Sequence, residues 1–220
     1  MNKKLGLVAR KIGMTRMVDP DGQMIPVTLL QVERQRITKV LTAERDGYVA
    51  VQVGYFEKKE KRLNKSDIAR LRKIKVDNNY SRFNEFRLDK PAEGVDIGSE
   101  LTIESFDGVT AVDVVGITKG RGFAGAVLRW GAATGRMSHG SMYHRRTGSI
   151  GTRTTPGRVF KNKHMPGQCG NVQKTLQNLK VLELDKKNNV IALKGSVPGH
   201  RNGFVIVKPS LKIKTKKQAH

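Results

Sequence analysis

The chain has 220 residues, and its 42 Lys and Arg against 19 Asp and Glu give a formal net charge of +23 at pH 7. That length suits one domain, or two, with a real core, although 37% hydrophobic content suggests segments that never enter it. No stretch approaches the roughly 18 consecutive apolar residues of a membrane span, and the single cysteine, Cys169, excludes an internal disulfide and fits a reducing cytosol.

In chain order, the start Met1-Asn2-Lys3-Lys4 is basic, but the apolar run Leu5 to Ala9 that follows is too short for a signal peptide and meets Arg10 and Lys11. Short runs rich in β-branched residues then recur between turn residues. Strands are expected at Leu5 to Arg10, Ile25 to Val32, Ile37 to Thr42, Tyr48 to Phe56, Glu100 to Ile103 and Ala111 to Thr118. They resume at Leu179 to Leu184, Val190 to Lys194 and Phe204 to Lys208. Asp19-Pro20-Asp21-Gly22 and Lys186-Lys187-Asn188-Asn189 read as turns. About nine short strands with few helices argue for a β-barrel.

Two stretches interrupt the strands. Residues 57–90 are charge-dense and mixed in sign, and read as a surface excursion with one helix starting near Ser66-Asp67 and placing Ile68, Leu71 and Ile74 on one face. The second, about Lys119 to Gln173, is different in kind. Val114 to Leu182 contains no acid at all, yet holds 12 Lys and Arg, three His and 12 Gly. Such a segment repels itself and has little apolar material to collapse on, so it orders only against a polyanion, naturally a nucleic acid. It is too long for an ordinary loop. If Trp130 to Pro166 forms a two-armed finger, each arm of about 18 residues reaches roughly 50 Å at about 3.3 Å per residue. The tail from Lys208 onward, with Lys212, Lys214, Lys216 and Lys217, reads as a basic arm that orders on binding.

Motifs with chemical associations are weak here. Gly120-Arg121-Gly122-Phe123-Ala124-Gly125 follows a strand-like run and precedes a short helix, Phe123 to Trp130, as a dinucleotide fingerprint would. No carboxylate lies some 20 residues on to hold a ribose hydroxyl. The same residues begin like an RNP1 motif but place Gly125 and Leu128 where stacking aromatics belong. The simpler reading is a backbone that approaches phosphates closely while Lys119 and Arg121 neutralise them. Ser138, His139 and His144 lack an acid to complete a triad, and His139, His144, His164 and Cys169 lack the paired spacing of a zinc site. Cys169 reads as a small packing residue rather than a reactive thiol. Trp130, Tyr143 and Phe160 either stack on bases or pack the root of the finger. Arg145, Arg146, Arg153, Arg158, Lys161 and Lys163 are poorly explained as a solvated face, which normally mixes both signs; forked guanidinium bonds to phosphate suit them better.

An ordered set of motifs carries a resemblance. Ala9-Arg10-Lys11-Ile12-Gly13-Met14-Thr15, Ile25-Pro26-Val27-Thr28, Asp46-Gly47-Tyr48 and Lys119-Gly120-Arg121-Gly122-Phe123 are followed by Ser138-His139-Gly140-Ser141, His144-Arg145-Arg146 and Gly148-Ser149-Ile150-Gly151. Thr155-Pro156-Gly157-Arg158-Val159-Phe160-Lys161, Gly167-Gln168 and Lys194-Gly195-Ser196-Val197-Pro198-Gly199 complete it. Over roughly residues 3 to 209 the chain resembles the bacterial form of universal large-subunit ribosomal protein family three.

The resemblance implies a mainly β protein: a six-stranded-type β-barrel body (1–118 and 174–208, with the partly helical excursion 57–90), a basic glycine-rich finger (119–173) and a basic tail (209–220). It implies a non-enzymatic structural constituent of the large subunit, cytoplasmic and ribosome-bound, that contacts 23S rRNA near its 3′ end, helps nucleate assembly and touches neighbouring ribosomal proteins. The expected rRNA-binding residues are Arg10, Lys11, Lys119, Arg121, Arg129, Arg136, His139, His144, Arg145, Arg146, Arg153, Arg158, Lys161 and Lys163. Gly148, Ser149, Gly151, Thr152, Arg153, Thr154 and Thr155 would form a tip near the peptidyl transferase centre without supplying catalytic groups. No catalytic residue, protein-bound metal, cofactor, membrane, small-molecule substrate or homo-oligomer is expected, and any Mg2+ would belong to the rRNA. Two departures stand out: relatives with a methylated glutamine near the tip differ from Thr152-Arg153-Thr154-Thr155 here, and the tail beyond Lys208 is longer and more basic than usual. The alternative function is a general RNA or DNA architectural chaperone, which would bind with little preference.

Overall fold

The computed structural model describes residues 5–19, 21–74, 79–89 and 96–212. Eleven strands, three short α-helices and two 3-10 turns are found among these residues. The strands are β1 (Leu7–Val18), β2 (Met24–Val32), β3 (Gln35–Leu41), β4 (Ala50–Glu57), β5 (Tyr80–Arg87), β6 (Ala111–Ile117), β7 (Phe123–Ala124), β8 (Gly167–Gln168), β9 (Gln173–Asp185), β10 (Val190–Lys194) and β11 (Phe204–Pro209). The helices are α1 (Ala43–Asp46), α2 (Lys65–Lys73) and α3 (Ala126–Trp130). The backbone divides into two compact units, residues 1–117 with 173–220, and residues 118–172.

In the first unit, six antiparallel strands close on themselves in the order β1-β11-β6-β9-β10-β2, with β2 returning to β1. The sequence explains the closure, because successive side chains on a strand face opposite sides. Leu7 and Ala9 on β1, Leu30 and Val32 on β2, Ile191 and Leu193 on β10, and Val205 and Val207 on β11 all join one buried cluster with Val112 and Val114. The intervening residues serve other faces: Val8, Phe204 and Ile206 pack with β3, β4 and β5, while Val27 and Ala192 pack with Ile25. The 3-10 turn Ile103–Phe106 adds Ile103 and Phe106, both almost fully buried, to the interior cluster. Each such side chain contributes about 1.5–3 kcal/mol on burial.

Not all of the expected strands enter this six-stranded closed sheet. β3, β4 and β5 form a separate three-stranded sheet. Gln35 joins it to the closed sheet: its side-chain oxygen accepts from the Val8 N–H at 3.0 Å and its amide donates back to the Val8 carbonyl at 3.3 Å, all fully buried. The amide thereby stands in for the strand partner that Val8 lacks on that side, since pairing with β2 starts only at Ala9.

Three expectations change and one holds. Residues 57–90 are not only a surface excursion, because β5 pairs along β4 and buries Tyr80 and Phe86 completely. The expected helix is α2, on which Leu71 is buried and Ile68 and Ile74 are half-buried. The expected strand Glu100 to Ile103 reduces to a single bridge, Arg36 to Glu100, before the 3-10 turn begins. The expected helix Phe123 to Trp130 starts only at Ala126, because Phe123 and Ala124 pair with Gly167 and Gln168. The tail beyond Lys212 and the Pro20 turn position lie outside the described residues.

Candidate nucleic-acid interface

The 118–172 unit has almost no interior. Ala124 and Ala126 are its only buried residues among those described, and every residue from 142 to 164 is exposed. Order comes instead from short-range polar contacts. At the base, the Thr118 N–H donates to the Val172 carbonyl at 2.9 Å, and the Thr118 hydroxyl accepts from the Val172 N–H at 3.2 Å. Next, Arg121 N–H donates to Cys169 O and Cys169 N–H to Gly122 O, both at 2.8 Å, which leads into the β7–β8 pair. Gly170 is needed here: its φ is +73°, and a Cβ would collide with the Lys119 carbonyl.

Beyond this ladder, α3 ends at Gly131, which takes the left-handed conformation at φ +69° and returns its N–H to Val127 O. Two side chains of its last turn converge on one acceptor. The Met165 carbonyl receives the Arg129 guanidinium at 3.0 Å and the Trp130 indole N–H at 2.9 Å. The Trp130 ring stacks on His164 at 4.3 Å and 7°, and the Arg129 guanidinium lies 5.0 Å from the same ring. Trp130 therefore packs one arm of the unit onto the other.

Further along, Gly135 donates its N–H to His144 O at 2.8 Å, and a Cβ there would collide with the Tyr143 carbonyl. The His144 Nδ1 lies 3.0 Å from Arg136 O; a carbonyl only accepts, so that nitrogen carries the proton and Nε2 remains for an external partner. The hydroxyl of the exposed Tyr143 lies against Gly148, where a Cβ would stand 2.5 Å from it. Around the expected tip, the Ser149 hydroxyl donates to Gly151 O at 3.0 Å and the Thr152 hydroxyl to Thr155 O at 3.2 Å. The Thr155-Pro156 bond is cis. Phe160 is 53% exposed with the Arg158 guanidinium 5.6 Å from its ring.

Of the expected contact residues, Lys119, Arg121, Arg136, His139, His144, Arg145, Arg146, Arg153, Arg158, Lys161 and Lys163 are all exposed on this unit, and Arg129 is half-buried. Arg10 and Lys11 differ. Arg10 pairs with Glu33 at 3.2 Å. Lys11 is buried, its ammonium donating to Val197 O at 2.7 Å and Gly199 O at 3.4 Å, so the fold itself uses its charge. The signal was present in the alternation Leu7, Ala9, Lys11, which puts all three on one side of β1. Exposed apolar side chains also crowd the 118–172 unit: Phe123, Met137 and Met142 are 80%, 62% and 89% exposed. With no carboxylate from Val114 to Leu182, its cations have no internal counter-charge, and the irregular backbone presents peptide N–H groups between them. That combination suits phosphates and unstacked bases of a folded nucleic acid.

Among the described residues no group of three or more His, Cys, Asp or Glu is placed to hold a metal, and no helix is long and apolar enough to cross a membrane. The ribosomal protein L3 family model matches residues 92–189. Large ribosomal subunit protein uL3 of Vibrio campbellii is 46% identical over 209 residues, covering 94% of this chain and 99% of that protein. The protein of the same name from Vibrio cholerae is 47% identical over the same shares, and that of Alteromonas mediterranea 46% over 211 residues. Likeness at this level over nearly the whole of both chains has one conclusion: the chain belongs to the ribosomal protein L3 family.

Proposed function

We propose that this protein is a structural constituent of the large ribosomal subunit that binds 23S rRNA directly, near its 3′ end, and helps nucleate subunit assembly. In this reading residues 1–118 and 174–208 form a β-barrel body. Residues 119–173 form a finger that enters the rRNA, and its tip, Gly148 to Thr155, approaches the peptidyl transferase centre without giving the reaction a chemical group. The described tail residues 209–212 lead into a basic arm. Neighbouring ribosomal proteins meet the body.

The observation that carries the proposal is the acid-free unit whose residues 142–164 are all exposed. A chain with no core and no internal counter-charge gains its order from a partner, so folding of the finger and compaction of the RNA are coupled. Each phosphate met by a Lys or Arg releases condensed counterions. Six to ten such contacts would lower affinity by roughly 10³ to 10⁵ between 50 and 200 mM salt. Lys11 is left out of the contact set because its ammonium is committed to Val197 and Gly199.

Crosslinking of tagged protein in cells, followed by sequencing of the bound RNA and sedimentation of the lysate, tests the reading. The expected result is crosslinks concentrated in the 3′ part of 23S rRNA, with the protein in large-subunit fractions. Diffuse crosslinks and slow sedimentation would overturn it in favour of a general architectural chaperone.

A further inference from the structure

A second feature is formed by residues of the other unit. A cleft of about 450 Å3 opens beside the end of β4, lined by Arg10, Gln31, Arg34, Phe56, Asn188 and Asn189 together with Val32 and the carboxylates of Glu33 and Glu57. That volume is in the range of small-ligand sites. Its one aromatic wall is held in an unusual way. Phe56 has φ +62°, a left-handed backbone that costs free energy for any residue but glycine and persists only where the surroundings impose it. The β4–β5 register runs on unshifted across it, from Tyr55 opposite Arg82 to Glu57 opposite Tyr80, so no bulge accounts for the conformation. The Phe204 ring packs edge-on against Phe56 at 5.1 Å, and Lys58 and Arg82 stand 5.3 and 5.9 Å from its centre.

Some of the polar groups around this ring have capacity to spare. Among the described residues the side chains of Gln31, Arg34 and Asn189 make no hydrogen bond or ion pair. Asn188 gives its NH2 to Asp185 at 2.7 Å, which leaves its amide oxygen as an acceptor. Glu33 holds only one terminal nitrogen of Arg10, at 3.2 Å, leaving the rest of that guanidinium. A half-buried aromatic face, side-chain amides that both donate and accept, and the Arg34 guanidinium form the kind of set that reads an unstacked nucleotide.

We propose that this cleft binds a single flipped-out nucleotide of RNA, with its base against Phe56, the base edge on the amides of Gln31, Asn188 or Asn189, and its phosphate on Arg34. The proposal rests on the assignment of rRNA as the partner, but it concerns a contact of the body that does not depend on the finger. A base held there would fix the angle at which a single strand crosses the end of β4. The positive φ of Phe56 then serves to turn the ring into the cleft.

Ultraviolet crosslinking at 254 nm of large-subunit particles containing the full chain, with mass-spectrometric mapping of nucleotide-bearing peptides, tests this. The expected result is a nucleotide adduct on the peptide containing Phe56 or that containing Arg34. Its yield should fall about tenfold in Phe56→Gly, as loss of one stacked base implies, and recover in Phe56→Tyr. Glycine accepts φ +62° without strain, so the first variant removes the aromatic face while easing the backbone. Adducts confined to residues 119–163 would overturn the cleft and leave the proposed function standing. An absence of rRNA adducts anywhere on the chain would overturn both.

Discussion

The two units of this chain obey opposite rules of order. Residues 5–117 and 173–212 fold by burying alternate side chains of a closed sheet, with Leu30, Ile191, Leu193 and Val207 at or near zero exposure. Residues 118–172 bury two alanines and arrange themselves through glycines, carbonyls and one stacked tryptophan. The first kind of order is intrinsic, since apolar burial needs no partner. The second rests on turns and close approaches within the unit, and in the proposed reading it is completed by a partner of opposite charge. Both kinds come from one sequence because, between Thr118 and Val172, acids are absent and large aliphatics are scarce.

The comparison breaks most sharply at the core. Phe106→Ala should cost about 3–5 kcal/mol, because the ring is 1% exposed and the closed sheet cannot collapse into the space. Denaturant unfolding measures this, and RNA affinity per folded molecule should not change. Lys11→Met asks whether an apparent RNA-binding cation belongs to the fold. Leaving the Val197 and Gly199 carbonyls without their donor should cost about 1–3 kcal/mol, again with no change in the salt dependence of RNA binding.

The mirror experiment is Arg145→Ala with Arg146→Ala. It should leave the unfolding midpoint where it is and reduce the slope of log affinity against log salt by roughly 0.7–0.9 for each phosphate that is no longer neutralised. An unchanged slope would remove these residues from the interface. Gly151→Val is gentler. Its Cβ would meet only the Arg158 carbonyl at 3.7 Å, an ordinary approach, so assembly should proceed while the response to inhibitors of the peptidyl transferase centre changes. Normal drug response would take the tip out of the proposal.

The smallest effect at neutral pH belongs to Tyr80, whose fully buried hydroxyl has no hydrogen-bond partner and whose pKa burial pushes up to about 12. Its unfolded-state pKa is about 10. The folded state therefore keeps the proton where the unfolded state loses it, and the stabilisation present below pH 10 is lost as pH rises towards 12. Tyr80→Phe should be near neutral at pH 7 and should flatten that alkaline loss, as pH-dependent thermal unfolding would show.

What the sequence discloses follows the same division. Strands such as Val190–Lys194 and Phe204–Pro209 are legible because they are short apolar runs with β-branched residues, bounded by turn residues. The strand Tyr80–Arg87 is hidden by its own composition. Tyr80, Phe83 and Phe86 recur at a spacing of three, which reads as helix, and only the partner strand Ala50–Glu57 and the helix Lys65–Lys73 decide otherwise. Likewise Glu100 to Ile103 has strand residues but finds only Arg36 to pair with. The exposure of 142–164 follows directly from a glycine-rich stretch poor in large aliphatics. Within it, charge was visible and geometry was not: nothing local says that Met165 would offer its carbonyl to both Arg129 and Trp130, since that depends on two arms meeting across 35 residues of chain. The Phe56 cleft was invisible for the same reason, because its walls come from β1, β2, β4 and the turn before β10.

The uninterrupted exposure of residues 142–164 has a further meaning for a cell. Six Lys and Arg fall within it, at 145, 146, 153, 158, 161 and 163, none followed by proline, and open backbone of this kind is where proteases cut first. On the proposed reading, a copy that has found its RNA would hide these bonds and a surplus copy would display them. The segment would thus act as its own expiry mark, matching the amount of protein that survives to the amount of RNA available to receive it.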